Sequence, residues 1–162
     1  AGHGLNYQSD NRLLAADFDV SVIQQTSLLQ SEFIDMIAKA NPRSVTIIFD
    51  TCFSGINRVG EQLVDARYVS IAESTINLPN NFIVISSSGK LEWSRDHPEQ
   101  DHGLFTYHFL KGLEKKADIN NDQQITLSEL FSYVQKNVQQ DSNYQQNPEI
   151  SSHSDYVLVD WN

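Results

Sequence analysis

One cysteine, one methionine, seven glycines and four prolines are all that this chain of 162 residues holds of those types. A single cysteine excludes an internal disulfide and a cysteine-rich zinc site, which fits a reducing, cytoplasmic setting. Basic residues are also scarce: 11 Lys and Arg stand against 21 Asp and Glu, a net charge of −10. Phosphate backbones demand a basic face, so nucleic acid is not an expected partner, whereas basic peptide segments are compatible with the surface. No apolar run approaches the roughly 18 residues of a membrane span, and no membrane partner is expected. What remains is 40% apolar, enough for one core, and residues 1–162 are read as one domain.

Residues 5–30 are mostly polar, with Asn6, Gln8, Ser9, Asp10 and Asn11 marking a turn. Phe33, Ile34, Ile37 and Ala38 recur at helical spacing, with Ser31 as the expected N-cap and Asn41-Pro42 as the stop. Residues 44–50 and 82–85 are apolar, β-branched runs and predict buried strands. Between them lies a mixed stretch with a short helix expected near 62–72. Helical periodicity returns over 104–116 and 127–140, and 156–159 closes as a strand. Strands alternating with helices predict an α/β sandwich with a central, mostly parallel sheet flanked by helices.

The cysteine falls where the first buried strand ends, in Ile47-Ile48-Phe49-Asp50-Thr51-Cys52-Phe53-Ser54-Gly55. A lone cysteine beside a strand is commonly an inert core thiol, and a lone histidine commonly structural. Here the thiol sits at the carboxyl end of a sheet strand, where α/β proteins place their sites. A histidine flanked by glycines, Gly2-His3-Gly4, opens the sequence, and those glycines permit close approach of a substrate. Together a thiol and an imidazole suffice for nucleophilic acyl transfer.

Three blocks, Ala1-Gly2-His3-Gly4, Asp50-Thr51-Cys52-Phe53-Ser54-Gly55 and His102-Gly103-Leu104-Phe105-Thr106, resemble the landmarks of caspase-like cysteine peptidases, in particular the bacterial branch related to metacaspases and paracaspases. The histidine of caspases precedes the cysteine by about 50 residues, as His3 precedes Cys52. The resemblance implies a caspase-like sandwich in which Cys52 is the nucleophile and His3 the general acid and base. It further implies an oxyanion hole formed by the backbone N–H groups of Gly4 and Cys52, with no third catalytic residue and no required cofactor. His102 belongs to a landmark before a helix and is expected to be structural.

Strand alternation puts Asp50 and Cys52 on one face, so the carboxylate of Asp50 can stand beside the nucleophile. It reads either as a capping aspartate or as the acid of a specificity pocket for Arg or Lys, by a charge-assisted and, for Arg, bidentate pair. Metacaspases and paracaspases use an acid here, so the resemblance implies a peptide or protein substrate cut after Arg or Lys, not Asp. Ser86, Ser87, Ser88, Glu92 and Trp93 follow the second strand, and in the family this stretch walls the substrate groove. Glu92 reads as a second pocket acid or as a surface glutamate.

The segment from Asp118 to Glu129 places Asp118, Asn120, Asp122 and Glu129 at positions 1, 3, 5 and 12 of an EF-hand loop, but position 6 is Gln123 instead of glycine. A polar turn capped by its own Asp and Asn side chains is the favoured reading, with a weak Ca²⁺ site as the alternative. Asp10, Asp17 and Asp19 fall where metacaspases carry an acidic calcium cluster, without its dense motif. Family members also carry about three strands and two helices ahead of Gly-His-Gly, and these are absent here. A companion chain supplying the N-terminal half is therefore expected, or a processed subunit, with Arg58, Arg67 and Arg95 as candidate self-cleavage sites. The competing functional classes are a catalytically silent caspase-like scaffold, a calcium-binding helix–loop–helix module and a different Cys–His acyl transferase.

Overall fold

The computed structural model describes residues 1–51, 53–55, 62, 77–89, 92–99, 102–151 and 155–161. The helix expected near 62–72 lies, apart from Gln62, outside the described residues. Where the sequence predicts only a polar turn, β1 (Gly4–Tyr7) and β2 (Asp10–Leu14) form an antiparallel hairpin. Its two turn residues, Gln8 and Ser9, both take left-handed φ angles of 53° and 71°. That is the backbone a two-residue hairpin turn prefers, reached here without a glycine. A short 3₁₀ turn at Val20–Val22 leads to β3 (Ser27–Leu29), which pairs antiparallel with β2.

Because β3 runs straight into α1 (Gln30–Ala38), Leu29 holds the cap position without a side-chain hydrogen bond. Ser31, the expected cap, lies inside the first turn. Asn41, at φ 48°, helps end the helix as predicted. β4 (Val45–Phe49) and β5 (Phe82–Ser86) then form the expected parallel pair, in register from Val45–Phe82 to Phe49–Ser86.

α2 (Leu104–Lys111) is shorter than its periodicity predicts: residues Gly112–Lys116 form a wider turn in which Lys115 reaches φ 73°. β6 (Gln124–Thr126) follows, and then α3 (Leu127–Asp141), opened by a capping box between Thr126 and Glu129. β7 (Glu149–Ile150) joins β5 antiparallel, giving the central sheet the order β4-β5-β7, and β8 (Val157–Asp160) pairs antiparallel with β6.

β5 is apolar on both faces because both are covered. Phe82 and Val84 join Ile47 and Phe49 under Ile34 of α1, while Ile83 and Ile85 pack against Phe105, Leu130 and Val134 of α2 and α3. The result is a mixed α/β sandwich with a core on each side of one strand. Among the described residues no helix is long and apolar enough to cross a membrane.

Gly112 permits the close crossing of α2 and α3. A Cβ there would stand 2.5 Å from Leu130 Cδ1 and 3.1 Å from Tyr133 Cδ1, and Leu130 is 1% exposed and has nowhere to retreat. Gly112→Val is therefore expected to destabilise the fold by about 2 kcal/mol. At roughly 2–4 °C per kcal/mol for a chain of this size, thermal melting reads that directly.

His108 is the second notable residue of this interface, and its helical pattern hides it as one more position on an apolar face. It is 6% exposed, and its Nε2 meets Asp141 Oδ2 at 2.9 Å. Burial holds the imidazole below its ordinary range, with the Asp141 contact acting in the opposite direction. The unfolded chain thus binds a proton near pH 6.5 that the folded chain takes up only at lower pH. This contribution to stability is present above that pH and is lost as the pH falls toward the folded value. The melting temperature is expected to drop below pH 6.5 in the wild type, and to drop less in His108→Gln.

Candidate active site

β4 delivers the chain to Asp50 and Thr51, both 4% exposed, and position 52 follows. Cys52 itself lies outside the described residues, but both of its flanks are within them. Backbone bonds lace the N-terminal segment to these flanks. Gly2 N–H donates to the Asp50 carbonyl (3.1 Å), Asn6 N–H donates to the Phe53 carbonyl (2.8 Å), and Leu5 forms an antiparallel bridge with Ser54. On the other side, Leu14 N–H donates to the His3 carbonyl (3.0 Å), which makes Gly4–Leu13 a non-hydrogen-bonded pair of the hairpin. The Gly4 N–H is therefore directed away from β2, to the side on which Gly2 and Asn6 reach Asp50 and Phe53.

His3 is exposed and lines a cleft of about 230 Å³ together with Leu13, Leu14, Asp50 and Thr51. The buried hydroxyls of Thr51 and Ser54, one on each side of position 52, have no hydrogen-bond partner among the described residues. Unsatisfied buried polar atoms are uncommon in folded proteins, and these two border the cysteine.

Two hydroxyls among the described residues donate to the Asp50 carboxylate. Ser94 Oγ donates to Oδ1 at 2.9 Å and Thr106 Oγ1 donates to Oδ2. Thr106 comes from α2 and Ser94 from the segment before it, so the landmark block around Leu104 reaches the site through its threonine. Behind them sits Gln146, wholly buried and hydrogen-bonded to the Ser87 carbonyl, the Arg95 N–H and Ser94 Oγ. The sequence offers no signal for it, since it lies in a stretch rich in Gln and Asn that reads as solvated.

Of the expected groove residues, Ser86 and Ser88 line a cleft, whereas Ser87 and Glu92 are engaged in hydrogen bonds within the fold. Ser87 does not offer its backbone to a peptide: its N–H donates to Phe49 O (2.8 Å) and its C=O accepts from Gln146. Ser86 is paired on both sides, with Phe49 and with Glu149. Ser88 is 6% exposed and lines, with Ser86 and Phe53, a second cleft of about 220 Å³. Glu92 binds the Gly89 N–H (3.1 Å) and the Asn147 N–H (2.6 Å) and side-chain amide, which makes it a staple between two loops. Trp93 lies under the Arg95 guanidinium, 5.0 Å from ring centroid to Cζ.

Arg95 is expected in an exposed connection, but its N–H bonds to Gln146 and its carbonyl accepts from Leu104, so the chain there is tied down on both sides. Arg58 and Arg67 lie outside the described residues. His102 is exposed, and its carbonyl accepts from His97 N–H (3.0 Å) beside the Asp96–Gly103 bridge.

In the acidic loop the side chains close on the loop itself. Asp118 accepts from the N–H groups of Asp122 and Gln123, Asn120 from that of Asp122, and Asp122 from that of Gln124. Gln123 adopts φ 66°, the conformation for which an EF-hand uses glycine, and Glu129 is engaged in the capping box of α3. Asp19 caps its own turn through Ser21. Among the described residues no group of three or more His, Cys, Asp or Glu side chains is arranged to hold a metal ion.

No curated protein matches the chain. The sequence profile described as the caspase domain matches residues 1–157, nearly the full length, over the same span that carries the α/β sandwich and the His3–Asp50 cleft. The chain belongs to the caspase-domain family of cysteine peptidases.

Proposed function

We propose that this protein is a cysteine endopeptidase that cuts after Arg or Lys through a His3–Cys52 dyad. One observation carries the reading: the segment bearing His3 is bonded to Asp50 on one side of position 52 and to Phe53 on the other, and His3 shares its cleft with Asp50.

In this reaction the Cys52 thiolate attacks the scissile carbonyl, and the oxyanion takes hydrogen bonds from the Gly4 and Cys52 N–H groups. As the C–N bond breaks, the His3 imidazolium gives its proton to the leaving amine. His3 then takes a proton from water, the resulting hydroxide attacks the thioester, and the thiol is regenerated with release of the acid product. Neither step calls on a metal. Asp50 supplies the negative charge that selects a basic side chain, oriented by the Ser94 and Thr106 hydroxyls. Among the described residues β4 stands at the end of the order β4-β5-β7, paired with β5 alone, and its other edge would suit added strands of a companion chain.

Peptide reporters ending in Arg, Lys and Asp test the proposal, with an electrophilic Arg-ending probe to label the thiol. Turnover and labelling with Arg and Lys are expected. Efficient cleavage after Asp alone would overturn the specificity, and neither turnover nor labelling would leave the silent scaffold as the correct reading.

A further inference from the structure

We propose that Gln146 is a positioning residue that aims the specificity carboxylate, an inference that rests on the Arg/Lys reading of Asp50. The side chain is 0% exposed and reached by an unusual turn: Asn143 and Tyr144 both hold left-handed φ angles of 52° and 60°, and Ser142 Oγ accepts the Gln146 N–H at 3.0 Å. Its amide has only one orientation compatible with its neighbours. The Arg95 N–H is a donor, so it must meet Oε1 (2.9 Å); the Ser87 carbonyl is an acceptor, so it must meet Nε2 (2.9 Å).

The second Nε2 hydrogen is then directed to Ser94 Oγ at 3.4 Å. A hydroxyl has one proton. With Gln146 donating to its oxygen, Ser94 turns that proton toward Asp50 Oδ1 at 2.9 Å. The same amide anchors Ser87, whose Oγ reaches the Thr51 carbonyl at 3.5 Å and whose N–H holds Phe49. One buried side chain thus sets the carboxylate and the strand tip relative to each other. It lies one shell behind the charge that reads the substrate.

The test compares an Arg-ending reporter with one ending in citrulline, which has the shape of arginine without its charge. Gln146→Met keeps length and bulk but removes every side-chain hydrogen bond, and Ser94→Ala removes only the relaying hydroxyl. In both variants kcat/KM for the Arg reporter is expected to fall by about tenfold, mainly through KM, while the citrulline reporter loses much less, so that the preference for charge collapses. The double variant is expected to lose no more preference than either single one.

An equal fall on both reporters, or an Arg preference retained in both variants, overturns the role of Gln146. Should Gln146→Met fail to melt cooperatively, Ser94→Ala decides the question by itself. A wild-type protein with no preference for Arg over citrulline overturns the specificity reading of Asp50, and with it the positioning role. The two failures are thereby distinguishable.

Discussion

Cys52→Ala is expected to lower turnover of an Arg-ending reporter by on the order of 10³-fold or more, to the level that binding and the oxyanion donors sustain without a nucleophile. His3→Ala is expected to cost a similar factor, because an amine leaves poorly without a proton and the thioester then waits for unassisted water. The two groups act as a unit, so the double variant should be no slower than the worse single one. His3 is exposed, so its loss leaves the fold intact. Initial rates measured alongside melting curves separate chemistry from stability. A Cys52→Ala protein retaining a tenth of the activity would sink the mechanism.

The second large effect is expected at Asp50. Asp50→Asn keeps the shape of the side chain: Ser94 can still donate to the remaining oxygen, and the new amide can donate to the Thr106 hydroxyl, which then accepts. Folding should be preserved while the charge is gone. A hydrogen bond to a charged group contributes about 1.5–3 kcal/mol, so kcat/KM for the Arg reporter should fall by roughly 10–150-fold. A neutral reporter should hardly change. Asp50→Ala is a different experiment, because it leaves two hydroxyls without their acceptor and adds about 1–3 kcal/mol of destabilisation. If Asp50→Asn cuts after Arg as well as the wild type does, the carboxylate is a structural cap.

Much of the fold is legible in the sequence wherever periodicity is strong. β4 and β5 are short apolar runs, and α2 and α3 repeat apolar residues at helical spacing, so their positions emerge within a few residues. The hairpin of β1 and β2 is not legible. It carries one wholly buried apolar side chain in β1, Leu5, and its left-handed turn is made by Gln8 and Ser9 instead of the expected glycine or asparagine. In the site, motif spacing leads to His3 and Asp50, and both line one cleft. The role of Cys52 rests on sequence. Ser94, Thr106 and Gln146 escape such reading because a buried hydroxyl or amide is recognisable only by the partners that satisfy it, and those partners are 40 or more residues away in the chain.

The apolar character of β5 on both faces also leaves a gap in specification. In a strand with one wet face, a slip of one residue would expose its core side chains and be rejected. In Phe82-Ile83-Val84-Ile85 a slip merely exchanges one buried hydrophobe for another, so side-chain patterning offers little to choose the alignment. That choice falls to polar contacts. Ser151 takes both backbone groups of Val84, its Oγ accepting from the Val84 N–H and its own N–H donating to the Val84 carbonyl, while Ser87 N–H meets Phe49 O at the tip and Gln146 clasps Ser87 O. The buried polar groups behind Asp50 therefore also encode how the sheet is aligned. Mutational tolerance in this protein should be lowest at polar residues that a hydropathy profile would dismiss as surface.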